Sequence, residues 1–295
     1  MTTQIGRSIV LCVQTVTPPA DSAPKPARAR ARPRVLAVHG VGAPLALAAL
    51  GGFAACKPAG MVVGEFRCPA ESAEAGALPS DTDPITVPWE TGFENGPCDY
   101  TQVAGFCYSF PPVTFRLVDQ PVHSGQYAAE ITVVTGTDGG EQPQGRCARQ
   151  GGLPVEAYYG AWFLIPKTAT NGGLWNLFHF RSDSQRPGLW DVHLTNDTTG
   201  ALILELYSRF LNSDARFSPP VPIGRWFHVV LYLKRAKDAS GAVALYLDQQ
   251  KVVESTNLVT DDTDWAQWYV GNLASAVDPP ECTVYLDDVT IRSTL

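Results

Sequence analysis

Charge is scarce in this chain. Of 295 residues, 17% are charged and 45% are hydrophobic, which excludes a largely disordered protein. Methionine is nearly absent at 2 residues, beside 7 Trp, 10 Tyr and 12 Phe. With 26 Gly and 24 Pro, this composition points to many strands and turns rather than long helices. No heptad, internal repeat or Gly-rich phosphate loop interrupts the chain, and no Cys-x-x-Cys spacing supports zinc. No nucleophile elbow supports Ser-His-Asp catalysis. A formal charge of −7 argues against nucleic acid as a partner.

What is present divides into three parts. Residues 1–55 read as a signal region with an N-terminal extension. Arg28, Arg30, Arg32 and Arg34 precede the apolar run from Val35 to Ala55, which ends in small residues before Cys56. An uncleaved membrane anchor is the alternative, weakened by Pro44 and the glycines. Residues 56–84, rich in Ala, Gly, Pro, Ser and acids, read as a flexible tether. Residues 85–295 carry short β-type runs at close spacing. Ten strands are expected: Tyr127–Val134, Ala157–Ile165, Trp175–Phe180, Trp190–Leu194, Leu202–Tyr207, Trp226–Leu233, Val243–Leu247, Lys251–Glu254, Trp268–Val270 and Thr283–Ile291. Turn clusters lie between them, among them Asn171-Gly172-Gly173, Asp197–Gly200, Asp238–Gly241 and a hairpin at Asp248-Gln249-Gln250. The expected fold class is all-β, an antiparallel two-sheet sandwich or jelly roll.

Period-two alternation then sorts side chains by face. It groups Trp175, His179, Asp191, His193, Glu205 and Tyr207 on one open face as a glycan-binding set. Aromatic planes stack on sugar rings, while carboxylates and imidazoles bond hydroxyls. The competing reading is an ordinary solvated sheet face. His228, inside a Trp-Phe-His-Val strand run, reads as structural.

Four ordered motifs carry a resemblance. They are Ala157–Phe163 followed by Ile165-Pro166, then Ile223–Val230, Gly241–Asp248 and Val284–Ile291. Their order resembles the concanavalin A-like lectin/glucanase superfamily, which includes laminin-G-like modules and polysaccharide lyases. The resemblance spans nearly all of Phe93–Ile291 and implies two curved sheets with a glycan-receiving concave face. It also implies adjacent first and last strands, where Glu94 and Asp287 would hold a structural calcium ion. Calcium needs several oxygen ligands. Phe53-Ala54-Ala55-Cys56 resembles the bacterial lipobox, with Phe53 departing from Leu or Val. That implies lipidation at Cys56 and a cell-envelope location, against simple secretion.

An exported chain permits disulfides. A local Cys98–Cys107 staple and a Cys147–Cys282 bridge are expected, with Cys68 free, although sequence leaves the connectivity open.

The lyases of this superfamily carry motifs resembling Arg-x-Glu, Gln-x-His and Lys-x-Gly-x-Tyr. Arg146–Gln150 lacks the Glu, Leu177-Phe178-His179 has Leu for Gln, and Tyr269–Leu273 lacks both Lys and Tyr. Only His179 and Arg149 carry over, with Tyr159 or Tyr207 as substitutes for the missing tyrosine. A glucanase needs a Glu-x-Asp-x-x-Glu run, which is absent. The reading is therefore a lectin-like, carbohydrate-binding protein. A divergent polysaccharide lyase and a structural or protein-binding sandwich are the alternatives. Removing residues 1–55 leaves 16 basic and 28 acidic residues, a charge of −12. That favours a neutral glycan over a strongly anionic one, unless a local patch around Arg146 and Arg149 overrides the overall field.

Overall fold

The computed structural model describes residues 84–101, 105–110, 112–136, 142–149, 152–181, 188–211, 216–263 and 266–295. The signal region, Cys56 and nearly all of the tether lie outside the described residues. Among those described, no helix is long and apolar enough to cross a membrane.

Fifteen strands and one short helix follow in chain order. They are β1 (Trp89–Thr91), α1 (Cys98–Thr101), β2 (Gly105–Ser109), β3 (Val113–Val118), β4 (Ala128–Val134) and β5 (Gln144–Arg149). Next come β6 (Glu156–Leu164), β7 (Thr170–Arg181), β8 (Gly188–Asn196), β9 (Leu202–Tyr207) and β10 (Arg216–Pro220). The chain ends with β11 (Trp226–Lys234), β12 (Gly241–Leu247), β13 (Gln250–Leu258), β14 (Gln267–Asp278) and β15 (Glu281–Arg292). All ten expected strands are present, with β7, β13 and β14 extending well beyond their expected ends.

Two antiparallel sheets result. One runs β13-β12-β11-β6-β15-β4-β3, with β1 paired to β15. The other runs β10-β9-β8-β7-β14-β5-β2. The first and last strands are adjacent as expected, with Trp89 opposite Ile291. Alternate residues of both sheets point inward, including Tyr159, Phe163, Phe178, Phe180, Trp190, Phe227 and Trp268. The fold is the jelly-roll sandwich that the strand pattern calls for.

Turn chemistry follows the residues. Asp248 and Gln249 both have positive φ, 49° and 68°, as a two-residue hairpin between β12 and β13 demands. Asp197 Oδ1 accepts from the Thr199 and Ala201 backbone N–H groups to close the β8–β9 turn. Asn171-Gly172-Gly173 is not a turn but part of β7. A Cβ at Gly173 would lie 2.6 Å from the Ser275 carbonyl oxygen, so the glycines permit close approach of β14.

The cysteines pair differently from expectation. Cys107 bonds Cys147, directly opposite on neighbouring strands β2 and β5. Cys282 is a free, buried thiol. Cys98 is disulfide-bonded, though not to Cys107. Short sequence separation favoured the local staple; strand register decided for the 40-residue loop.

A second correction comes from a β-bulge. On β7, Asn176 pairs with His193 and Phe178 with Val192, leaving Leu177 as an extra residue. Strict alternation therefore breaks there. Trp175 turns inward and is fully buried, donating Nε1–H to Asn272 Oδ1 at 3.0 Å. Asn272 in turn donates to the carbonyls of Ile131 and Cys282 in the opposite sheet. Trp175 is thus a core residue, not a ligand-binding one. Trp175→Ala is expected to cost about 3–5 kcal/mol, read as a fall in denaturant midpoint. An unchanged midpoint would place the ring outside the core.

Candidate functional site

The open face of the seven-stranded sheet collects the polar side chains of alternate positions. Cross-strand register sets them in two rows perpendicular to the strands. One row runs Tyr207, Asp191, His179, Tyr269, Ala148, Phe106. The other runs Phe217, Glu205, His193, Asn176, Leu273, Gln144. It is prolonged by Phe110, whose N–H donates to the Gln144 carbonyl. Five of the six expected ligand-binding residues are therefore together: His179, Asp191, His193, Glu205 and Tyr207.

Asp191 is the hub. Its Oδ1 accepts from His179 Nδ1 at 2.7 Å and from Asn176 Nδ2 at 2.6 Å. His193 Nε2 lies 3.8 Å away, and His193 Nδ1 is 3.7 Å from Glu205 Oε2. Burial alone would raise the Asp191 pKa, but the bonds from His179 and His193 outweigh it and hold the carboxyl well below its usual range. Burial would likewise lower His193, yet the two carboxylates beside it raise it to about 9. His193 is accordingly an imidazolium at neutral pH. With Nδ1 of His179 engaged by Asp191, its Nε2 is the nitrogen left to meet a ligand.

The bulge that buries Trp175 also brings Asn176 to this face. Asn176 Oδ1 accepts from Arg146 Nη2 at 2.6 Å. Arg146 pairs across β5 with Tyr108, whose hydroxyl donates to Gln144 Oε1 at 2.9 Å. Tyr269 stands on β14 opposite His179, their ring centres 5.7 Å apart. Burial raises the Tyr269 pKa against the pull of Arg181 and Arg146, and its hydroxyl donates to Gln267 Oε1 at 2.5 Å. Burial likewise pushes Tyr108 up to about 12.

Arg149, carried over from the motifs, and Tyr159, the expected substitute tyrosine, do not reach this face. Arg149 has the opposite strand parity from Arg146, and its guanidinium sits 4.7 Å over the Trp89 ring. Burial lowers its pKa to about 10. Tyr159 is fully buried between Phe180 and Trp268, at 4.9 and 5.2 Å between ring centres. Sequence reasoning missed Asn176, Tyr108 and Tyr269, and carried over Arg149 in place of Arg146. The available signal was parity: Arg146 and Arg149 differ by three positions and must face opposite ways in a regular strand.

Glu94 and Asp287 do come to one end of the sandwich, around Gly92. Their oxygens are turned onto backbone N–H groups, however. Glu94 Oε1 accepts from Gln126 and Tyr127, and Asp287 Oδ2 from His123 and Ser124. Burial raises Asp287 to about 6. Among the described residues, no three His, Cys, Asp or Glu side chains form a metal-holding cluster. The donor set for calcium is incomplete in this arrangement. His228 lies on the other sheet, stacked on Trp162 at 4.9 Å.

The fold is thus a jelly-roll sandwich that carries an imidazole–carboxylate pair, an arginine and two tyrosines on one open sheet. The chain belongs to the polysaccharide lyase family, whose model matches residues 100–290. No curated protein matches the sequence. Among solved structures, it is similar to an endo-β-1,4-glucuronan lyase from the fungus Trichoderma reesei, at 21% identity and TM-score 0.51, covering 63% of this chain and 90% of that one. It is also similar to an alginate lyase variant in complex with an alginate trisaccharide, at 10% identity and TM-score 0.50, covering 71% and 100%. These likenesses bear on the fold.

Proposed function

We propose that the protein is a polysaccharide lyase that cleaves a uronic-acid polymer by β-elimination. The observation that carries this reading is the His179–Asp191 pair placed opposite Tyr269 and beside Arg146 and Asn176. His179 Nε2 takes the proton from the carbon next to the uronate carboxylate, with Asp191 holding the ring in position. The electron pair forms the C4–C5 double bond, and the C4–O bond breaks. Tyr269, kept protonated by burial, gives its proton to the departing oxygen. In this reading Arg146, held by Asn176, and the charged His193 neutralise the substrate carboxylate.

The lectin-like reading required motif residues to be missing. Lys and Tyr of Lys-x-Gly-x-Tyr are indeed absent, but Tyr269 occupies the Lys position and supplies a hydroxyl from there. Net charge argued for a neutral glycan; the local cations Arg146 and His193 support an anionic one. The whole chain is expected to generate unsaturated uronide absorbance from at least one member of a panel of glucuronan, alginate and other polyuronates. Binding without product across the panel would return the lectin-like reading.

A further inference from the structure

A cavity of about 560 Å³ opens on the outer face of the eight-stranded sheet, the sheet that does not carry His179. That volume is ordinary for a small-ligand site. Tyr158 and Trp162 of β6, His228 of β11 and Thr290 of β15 line it from the sheet. Gly160, between the two β6 aromatics, adds no side chain there. A Cβ at that position would lie 2.9 Å from Thr290 Oγ1 and 3.1 Å from His228 Nε2. Trp162 is a wall rather than a platform, because the His123 and His228 imidazoles stack on its ring at 3.7 and 4.9 Å. Accessible rings continue from Tyr158 instead. Tyr158 stands opposite Tyr232 of β11, with ring centres 4.9 Å apart, and 6.3 Å from the Tyr246 ring of β12. All three tyrosines are partly exposed, and together they form a strip across three neighbouring strands. Sugar rings stack on phenol faces of this kind.

The charge here is opposite to that around Arg146 and His193. Glu90, Glu94, Asp99 and Asp288 ring the cavity against one cation, Arg292, which donates to Glu90 Oε2 at 2.9 Å. A uronate is repelled by such a rim. The carboxylates are fixed by neutral donors: Asp99 accepts from Thr91 and Asn95, and Asp288 from Ser124. Each oxygen keeps a further lone pair for a sugar hydroxyl. Burial lowers His228 to about 4 against the pull of Asp248, so its imidazole is neutral and both donates and accepts. Aliphatic lining is confined to Val230 and Leu295, too little for the apolar centre of a protein interface. We propose that this face is a second carbohydrate site, which takes a neutral polysaccharide and not the polyuronate. A sugar residue sits in the cavity on the carboxylates, Thr290 and His228, and the chain continues over Tyr158, Tyr232 and Tyr246. The two sheets thus select polymers of different charge, and the protein is held on a neutral matrix while its other face meets uronates. This inference does not depend on the lyase reading.

The whole chain is run in native gels containing hydroxyethylcellulose, galactomannan, laminarin or dextran, and affinity is read from retardation against polymer concentration. At least one of the four is expected to retard the wild type. Tyr158→Ala and Tyr246→Ala are each expected to weaken that binding about threefold to tenfold. Tyr158→Phe, which keeps the ring, is expected to retain most of it. Both alanine variants are expected to keep the wild-type denaturant midpoint and rate on polyuronates, since neither ring touches the other sheet's open face. Adding a polyuronate trisaccharide is expected to leave the retardation unchanged. Retardation by none of the four overturns the inference, whether or not the cationic polymer chitosan binds. Retardation that survives both alanine substitutions, or that the trisaccharide relieves, overturns it as well. Absence of product from every polyuronate overturns the lyase reading alone and leaves the gel result to decide this one.

Discussion

His179→Ala is expected to lower the rate of unsaturated uronide formation by about a hundredfold to ten-thousandfold, the range for removing a positioned general base. Binding of the polymer is expected to persist, because the aromatic rings and the Arg146–Asn176 pair are untouched. His179 is partly exposed and packs no core space, so the variant is expected to fold normally. Paired measurements of product absorbance and polymer affinity check this. A variant that retains most of the wild-type rate would remove His179 from the chemistry and move the search for a base to Tyr269 or Tyr108.

Asp191→Ala is expected to reduce both activity and stability. Its carboxylate is buried and accepts from His179 and Asn176 while facing the His193 imidazolium. Truncation removes one of the two carboxylates flanking that buried cation and strands two donors. Breaking a buried charged network in this way costs about 3–5 kcal/mol. It also frees the His179 ring to rotate. Asp191→Asn keeps the shape but not the charge, and is expected to lose less stability while remaining poorly active. The pH dependence follows with opposite signs for the two groups. Asp191 is held below its ordinary 3.8, so its contribution is present above that value and is lost as pH falls through the native-state value. His193 is raised from 6.5 to about 9, so its contribution is full below pH 6.5 and is lost as pH rises through 9. Unfolding free energies from denaturant titrations are therefore expected to decline above pH 6.5 by up to about 3 kcal/mol in wild type. The decline is expected to vanish in His193→Gln. A flat profile in the wild type would mean that His193 is not held charged.

Much of this was legible in the residues. Alternation in Leu202–Tyr207 and Trp190–Leu194 placed Glu205, Tyr207, Asp191 and His193 on one face, because both strands are regular and every second side chain is a large apolar one. The same rule failed on β7, where Leu177 is inserted and Trp175 goes inward. Nothing local marks that bulge, since Trp175, Leu177 and Phe178 are all apolar and either parity looks amphipathic. It is set by β7 pairing β8 on one side and an irregular stretch of β14 on the other.

Three strands of the same sheet were missed for a different reason. β2, β5 and β10 carry Gly, Cys, Arg, Ser and Pro in place of the β-branched runs that announce a strand. With β5 unread, Arg146 and Arg149 could not be told apart, and Cys147 had no visible partner. Composition and periodicity by themselves determined a β-sandwich and the polar face made by β8 and β9. Only the tertiary structure decided which arginine faces the substrate side, that Asn176 replaces Trp175 there, and that Tyr269 stands opposite His179. Those facts depend on register between strands far apart in sequence, and a one-residue shift reverses every side chain that follows it.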